Sequence, residues 1–191
     1  MTQTCFRRYK TPGAFDDIIL KSDGDVLTAL LFDGSKDAVL QGCEECDLPV
    51  FDETCRWLDI YFSGKQPDFI PDYRIENLTP FRKEVSEMMT EIPFGQTVSY
   101  GEIAARIANR HGVAKMSAQA VGGAVGWNPI CIIVPCHRVV GSNGSLTGYG
   151  GGMKNKIALL RLEGIDLGRF TVPKNEIILS SSEYQALQTR L

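Results

Sequence analysis

Cys136 and His137 are the neighbouring residues whose types most directly predict covalent chemistry in this chain. They lie in the run Pro135-Cys136-His137-Arg138-Val139. An imidazole and a guanidinium beside a thiol lower the pKa of that thiol and favour the nucleophilic thiolate. Neighbouring side chains of an extended segment point to opposite faces. Therefore either the chain bends after Pro135, or a water carries the proton from Cys136 to His137.

The segments on either side of this run predict how it is positioned. The β-branched apolar stretch 130–134 predicts a buried strand that ends just before Cys136, with Cys131 as a small core residue. Asn143-Gly144 predicts a turn. The glycine-rich loop 147–152 can present backbone N–H groups to a planar ligand without obstruction by side chains.

Four helices are predicted between residues 79 and 164. Thr79-Pro80 begins the first helix, and the capping box from Ser99 to Glu102 begins the second. Ser117 caps the third helix, 118–126, so that the second and third helices fit a helix-turn-helix. The fourth begins at about residue 153 and ends at Glu163-Gly164. The helix dipole disfavours a carboxylate at that end, so Glu163 needs a special reason to be there.

The third helix is built largely from alanine and glycine, which fill a core poorly. Each of its three glycines costs roughly 1 kcal/mol relative to alanine. Such a helix suits a place where another molecule or another helix approaches the backbone closely. A DNA groove and a neighbouring helix explain the composition equally well.

The first part of the chain predicts a mixed domain of strands and helix. Strands are predicted at 18–20 and 26–32, and a helix at 49–62, with Trp57 and Phe62 in the core. The proline-containing stretch at about 66–78 is the predicted linker. We therefore expect an α+β protein with domains at 1–78 and 79–168, followed by an extension of unknown role at 169–191.

Composition and charge limit the class of protein. The chain has 191 residues, a net charge of −3 and no long apolar stretch, which predicts a soluble cytoplasmic protein without membrane association. Residues 1–79 are acidic and residues 80–168 are mildly basic, so any DNA contact is expected on the second part. His111 is expected at a solvated helix end. Arg138 could touch DNA, stabilise the Cys136 thiolate or form an intramolecular ion pair.

The six cysteines are interpreted as thiols, because no secretion signal is visible. Cys43 and Cys46 have the spacing of half a zinc site or of a redox pair. The chain contains only two histidines and no second pair of this spacing, so an acidic surface loop is the favoured interpretation. We expect no metal and no cofactor.

Residues 79–164 closely resemble the O6-alkylguanine-DNA alkyltransferases, also called methylated-DNA–protein-cysteine methyltransferases. The resemblance is carried by 92–100, 120–124, Asn128-Pro129, 135–139 and 144–152. A looser match covers Leu58 through Lys65. The resemblance implies an RNase H-like α/β first domain and a winged-helix second domain that enters the minor groove and flips the damaged base.

The resemblance also implies which residues carry the reaction. Cys136 would be the nucleophile that takes the alkyl group, and His137 would act as the base through a bridging water. Glu163 would orient His137, which explains its unfavourable place at a helix end. Asn128 would be the hinge between the helix-turn-helix and the active-site segment. Tyr100 would assist protonation of the leaving guanine.

Further positions of the family fall on residues that would bind the base and the DNA. The residues implied for the flipped base are Val125, Val139, Tyr149 and Gly150. Those implied for DNA are Tyr100, Gly101, Ser117, Gln119, Ala120 and Ser142. The partner would be double-stranded DNA that contains O6-alkylguanine, with O4-alkylthymine as a second candidate lesion. The protein would act as a monomer, in the nucleus if the source is a eukaryote, and would be consumed by one turnover because a thioether has no carbonyl for water to attack.

One position departs from the family. Gln119 stands where an intercalating arginine is common, which predicts weaker or more salt-tolerant DNA binding. The connection 108–116 is also long for the family. Two other functions stay open: a recognition protein that binds alkylated bases without transfer, and a helix-turn-helix regulator with a redox thiol. The thiol of Cys136 argues against the first, and the lack of an obvious dimerisation segment argues against the second.

Overall fold

A four-stranded sheet organises the first half of the chain in the computed structural model, which describes residues 4–172. Its strands are β1 (Thr4–Tyr9), β2 (Ile18–Ser22), β3 (Leu27–Phe32) and β4 (Cys43–Glu45). They lie in the order β3-β2-β1-β4; β1 is antiparallel to β2 and parallel to β4, and β2 is antiparallel to β3. Nearly every residue of β2 and β3 is buried, which confirms the two predicted strands to within two residues.

The other two strands, β1 and β4, were not predicted from the sequence. Charged side chains interrupt the apolar pattern of β1, where Arg7 forms ion pairs with Asp47 and Asp52 at 2.7 Å each. β4 has only three residues and lies at the sheet edge, so the acidic segment around Cys43 is partly a strand and not only a loop. Both strands depend on pairing with distant residues, which a local pattern does not reveal.

The prediction that all six cysteines are thiols is wrong for one pair. Cys5 and Cys46 form a disulfide with a Cα–Cα distance of 5.5 Å. The parallel pairing of β1 with β4 places Cys5 opposite Glu44, and the chain after β4 then brings Cys46 within bonding distance. Cys43, Cys55, Cys131 and Cys136 are free thiols.

Helix α1 (Pro49–Phe62) has the predicted bounds and lies beside β1. The ring of Tyr9 stacks on that of Phe62 at 6.0 Å, and its hydroxyl donates to Asp59 at 2.7 Å. Phe62 is half-buried, whereas Trp57 is buried in the core as predicted.

The second half of the chain contains four helices and a two-stranded parallel sheet. The helices are α2 (Pro80–Thr90), α3 (Tyr100–His111), α4 (Ala118–Gly126) and α5 (Met153–Leu162); the strands are β5 (Val98–Ser99) and β6 (Val139–Val140). The three predicted caps are present: the side chains of Thr79, Ser99 and Ser117 accept from the first turns of α2, α3 and α4. His111 is exposed at the end of α3 and pairs with Glu84 at 2.9 Å.

The predicted strand at 130–134 is wrong: the segment is a buried turn. Val134 N–H donates to the Ile130 carbonyl at 3.0 Å, and Ile132 has a φ of 69°. Its apolar, β-branched residues are explained by burial alone, since all five are buried. Ile130 keeps one parallel bridge to Leu30 of β3.

That bridge joins the two halves of the chain next to the active-site run. Leu30 N–H donates to the Pro129 carbonyl at 2.8 Å, and Cys131 N–H donates to the Leu30 carbonyl at 2.9 Å. One apolar cluster includes residues of β2, β3, α1, α2, α3 and α4. The described residues between 66 and 78 form no helix or strand, and the division into domains there stays a prediction.

The described part of the chain ends shortly after residue 168. Of the predicted extension at 169–191, only residues 169–172 are described, and Thr171 forms a bridge with Ser145. No helix among the described residues combines the length and apolar character that a membrane span requires.

Candidate active site

Cys136, His137 and Arg138 form a single 3-10 turn between the buried turn 130–134 and β6. Cys136 N–H donates to the Val134 carbonyl at 2.8 Å, and Arg138 N–H donates to the Pro135 carbonyl at 2.9 Å. The chain therefore bends after Pro135, which is one of the two alternatives that the sequence left open. Cys136 is only 5% exposed and His137 is fully buried.

His137 is bonded to Glu163, the residue that follows α5. His137 Nε2 lies 2.8 Å from Glu163 Oε1. Because a carboxylate only accepts hydrogen bonds, Nε2 carries the hydrogen and Nδ1 is the proton acceptor of the neutral imidazole. Nδ1 is buried and has no hydrogen-bond partner among the described residues. The buried imidazole is thus arranged to take a proton at Nδ1.

Arg138 neutralises the charge of Glu163. Its Nε donates to Oε2 at 2.9 Å, its Nη2 donates to Oε1 at 2.9 Å, and its Nη1 donates to the Ile92 carbonyl at 2.7 Å. Gly95 N–H also donates to Glu163 Oε2, at 3.1 Å. Among the roles considered for Arg138, the structure shows the intramolecular ion pair. These bonds explain why a carboxylate stands at the end of α5, where the helix dipole alone disfavours it.

Protonation states follow from these contacts. Burial raises the pKa of Glu163, but the bonds from His137 and Arg138 outweigh it and hold this pKa at about 2. Burial lowers the pKa of His137, and Glu163 opposes that shift only in part. At neutral pH the cluster therefore consists of an anionic Glu163, a cationic Arg138 and a neutral His137.

Asn128 links the turn 130–134 to the thiol. Its Nδ2 lies 3.1 Å from Cys136 Sγ and donates to the Val134 carbonyl at 2.8 Å, and its Oδ1 accepts from Ile130 N–H at 3.0 Å. One side chain thus fixes the turn and supports the sulfur, which agrees with the hinge position implied by the family resemblance.

Two further residues act on the Cys136 thiol, and sequence reasoning did not assign them to the site. A hydrogen bond from Cys131 is the largest cause that lowers the pKa of Cys136, while burial opposes it and Asn128 and Lys156 assist. Cys131 is buried, as predicted, but it also contacts the Cys136 thiol. Lys156 is fully buried, and its Nζ donates to the Val139 carbonyl at 2.7 Å and the Thr147 carbonyl at 3.1 Å. Lys156 lies on the same helical face as Leu159 and Leu160, and this spacing in the sequence could have indicated that the lysine is buried.

A cavity of about 840 Å³ lies between α4, the loop 147–152 and the segment 33–36. Four of the predicted site residues line it: Tyr100, Gln119, Tyr149 and Gly150. Three other predicted site residues, Cys136, Val125 and Val139, are buried and do not line this cavity. Tyr149 also lies near the thiols of Cys131 and Cys136: burial raises the pKa of Tyr149 first of all, and these two thiols raise it further.

The exposed face of α4 carries mostly alanine and glycine. A Cβ atom added to Gly123 or Gly126 would meet nothing within 4 Å, so packing inside the protein does not require either glycine. Close packing of a neighbouring helix therefore does not explain them. The predicted DNA residues Gly101, Ser117, Gln119, Ala120 and Ser142 are all exposed. The Ser117 hydroxyl also accepts from Ala120 N–H at 3.2 Å as the cap of α4.

The described residues contain no group of three or more histidine, cysteine, aspartate or glutamate side chains that could hold a metal ion. The Cys43 and Cys46 pair in particular is divided, because Cys46 is bonded to Cys5.

The family model and two similar relatives indicate the same family. Residues 80–165 match the family described as 6-O-methylguanine DNA methyltransferase, DNA binding domain. The chain is 37% identical over 166 residues to a methylated-DNA–protein-cysteine methyltransferase of Haemophilus influenzae, covering 86% of this chain and 89% of the relative. A protein of the same name from Mycobacterium leprae is 41% identical over 149 residues, covering 76% and 85% respectively.

Solved structures give the same result for the fold. The chain superposes on Mycobacterium tuberculosis OGT in complex with DNA with a TM-score of 0.70 and 38% identity, covering 83% of this chain and 92% of that chain. For the O6-methylguanine methyltransferase of Mycobacterium tuberculosis the TM-score is 0.71 and the identity 34%, with 95% and 99% covered. The mixed α+β fold is therefore similar to that of the mycobacterial structures.

Proposed function

The chain belongs to the family of methylated-DNA–protein-cysteine methyltransferases, and we propose on that premise that Cys136 accepts the alkyl group from O6-alkylguanine in duplex DNA. The protein is a DNA repair methyltransferase. The observation that carries the assignment of Cys136 is the buried cluster in which His137 bonds to Glu163 through Nε2 and keeps Nδ1 as an acceptor. O4-alkylthymine is the second lesion with the same bond to break.

The reaction is a displacement at the alkyl carbon. The Cys136 thiol loses its proton to His137 Nδ1 through a bridging water, and Glu163 stabilises the imidazolium that forms. The thiolate forms the sulfur–carbon bond while the carbon–oxygen bond to guanine breaks, and its electron pair stays with the base. Tyr100 assists the protonation of that base. The Tyr100 hydroxyl donates to the Thr147 carbonyl at 3.2 Å, so this hydroxyl lies beside the loop 147–152 that lines the cavity.

The thioether product explains why one molecule repairs one lesion. Water has no carbonyl to attack in a thioether, and the reaction as written needs neither a cofactor nor a metal. Once alkylated, Cys136 cannot form the thiolate again.

DNA binding is assigned to the second domain, residues 79–168, as a winged helix whose α4 enters the minor groove. The glycine and alanine residues on the exposed face of α4 support this assignment, since small residues let the backbone approach the groove closely. The guanine must leave the stack to reach Cys136, at a cost of a few kcal/mol. Val125, Val139, Tyr149 and Gly150 would receive it, and Tyr149 or the loop 147–152 must move to admit it to the sulfur.

The first domain, residues 1–78, is assigned an RNase H-like fold. The sheet supports this assignment: β1, β2 and β3 form an antiparallel meander, and β4 joins β1 in parallel. The protein is proposed to act as a monomer in the cytoplasm, or in the nucleus of a eukaryote.

Intact-protein mass after mixing with a duplex that contains O6-methylguanine tests the function. We expect the mass to rise by one methylene group at one equivalent of lesion, and peptide mapping to place the addition on the Cys136 peptide. An unmodified duplex of the same sequence is the control. Binding of the lesion without any gain of mass would support the recognition protein instead.

Gln119→Arg is expected to tighten binding of the lesion duplex at moderate salt and to steepen the salt dependence of binding by about one phosphate contact. The side chain lies on the exposed face of α4 beside the cavity, and α4 itself carries no lysine or arginine. Fluorescence anisotropy across a salt series measures both quantities. Gln66→Arg makes the same charge change at an exposed position in the predicted linker and should leave the slope unchanged. An unchanged affinity in Gln119→Arg would contradict the predicted role of this position.

A further inference from the structure

Tyr61 of α1 reaches the active-site cluster from the first domain. Its hydroxyl donates to Glu163 Oε1 at 2.6 Å and lies 3.3 Å from His137 Nε2. Glu163 is 102 residues away in sequence. The hydroxyl bond is shorter than the 2.8 Å bond of His137 to the same oxygen, so Tyr61 and His137 share one carboxylate oxygen.

The surroundings hold the ring of Tyr61 in place. Only 1% of Tyr61 is exposed. Its ring stacks on Trp57 with a centroid distance of 5.4 Å and meets the edges of Phe94 and His137 at 5.9 and 6.5 Å. Burial, and then the charge of Glu163, raise the pKa of Tyr61 well above its usual value. The hydroxyl therefore stays neutral and remains a donor to the carboxylate.

We propose that Tyr61 is a positioning residue, contributed by the first domain, that fixes the Glu163 carboxylate and sets how strongly this carboxylate stabilises a proton on His137. The inference rests on the proposed function, because it concerns the base of that reaction. Among the described residues, Tyr61 does not line the cavity around Tyr100 and Gln119. It acts through Glu163.

The chemistry gives the direction of the effect. A hydroxyl that donates to a carboxylate disperses part of its negative charge. Without that bond Glu163 would attract a proton on His137 more strongly, and the neutral imidazole needed as a base would be less populated at a given pH. The carboxylate would also lose one of the contacts that hold its plane.

Several other groups act on the same imidazole and are unchanged by the test. The charged and titratable groups that face His137, besides Tyr61, are Glu163, Arg138, Lys156 and Cys136. Arg138 and Lys156 lower the pKa of His137, after burial and against Glu163.

Tyr61→Phe in the full-length protein tests the inference, since it removes the hydroxyl and keeps the ring. Nuclear magnetic resonance can follow both histidines of the chain, and His111, exposed on α3, is an internal reference. We expect the pKa of His137 to rise by roughly half a pH unit or more while that of His111 is unchanged. The acid limb of the rate of alkyl transfer should move to higher pH by the same amount, and the plateau rate should fall about tenfold.

Tyr9→Phe is the matched control. Tyr9 also donates to a carboxylate, that of Asp59 at 2.7 Å, but this pair lies on the surface away from the cluster. The control should leave both the His137 titration and the rate profile unchanged.

A double variant separates positioning from packing. If Tyr61 acts through Glu163, then Tyr61→Phe should slow transfer much less in a Glu163→Gln background than in the wild type. An unmoved His137 titration and an unmoved acid limb, with only a lower melting temperature, would overturn the inference. The His137 titration can be measured whether or not the protein transfers an alkyl group. If the wild type showed no transfer, the proposed function would be refuted, and the titration would still decide whether Tyr61 acts on His137 through Glu163.

Discussion

Cys136→Ala is expected to abolish alkyl transfer and to leave binding of the lesion duplex intact. The sulfur is the atom that forms the new bond, and alanine has no nucleophile in its place. The side chain is 5% exposed and does not line the cavity, so the exposed surface of α4 does not change. We expect the rate to fall below detection, a loss of at least about 10⁴-fold.

Two measurements on the same samples check this expectation: intact mass after exposure to the O6-methylguanine duplex, and anisotropy of the labelled duplex. Cys55→Ala is the control, because Cys55 is a half-buried free thiol of α1 whose pKa burial raises. That variant should transfer like the wild type. A methylene added to Cys136→Ala on another cysteine would show that the acceptor is wrongly assigned.

Glu163→Gln is expected to reduce both the stability and the rate of transfer. Glu163 is the anion that balances Arg138, and both side chains are buried. Removing the charge leaves a buried guanidinium without its partner, which costs about 3 kcal/mol. The amide also cannot stabilise an imidazolium on His137, so we expect transfer to slow by about 10²- to 10³-fold. Chemical unfolding and single-turnover kinetics measure the two effects.

The stability difference between wild type and Glu163→Gln should depend on pH. The pKa of Glu163 is about 2 in the folded protein and has an ordinary value of 4.5. Because the folded value is the lower one, the carboxylate contributes stability that is fully present above pH 4.5 and is lost as the pH falls to about 2. This contribution is about 3 kcal/mol.

The difference in the free energy of unfolding should therefore shrink as the pH is lowered from about 5 to 2. Asp23 and Glu102 also have lowered pKa values, through backbone hydrogen bonds, but both proteins share them and they cancel in the difference. A difference that stays constant over this range would contradict the assignment of an ionised Glu163 in the folded protein.

Some features of the protein were predictable because they depend on residues close together in sequence. The caps at Thr79, Ser99 and Ser117 use side chains that bond three residues ahead, so their spacing alone identifies them. Helix α1 was predicted with its bounds because its buried residues recur at the helical period. The chemistry of Cys136 beside His137 was visible for the same reason.

Two predictions were wrong: an apolar, β-branched composition was interpreted as a strand, and a pair of distant cysteines was interpreted as two thiols. The run 130–134 has the composition of a core strand, but composition reports burial and not backbone geometry. Asn128 and the bridge to Leu30 hold it as a turn instead. The bond between Cys5 and Cys46 depends on the pairing of β1 with β4, which neither strand's own sequence reveals.

The sequence by itself determined the family and most of the helix boundaries, and it predicted Cys136 as the nucleophile with His137 as its base. Only the tertiary structure decided which groups complete the cluster: Tyr61 from α1, Arg138 turned toward Glu163, and the buried Lys156 bonded to the Val139 and Thr147 carbonyls. The physical reason is range. Helix periods and caps act over a few residues, whereas the charge and orientation of Glu163 depend on side chains that packing brings together from both halves of the chain.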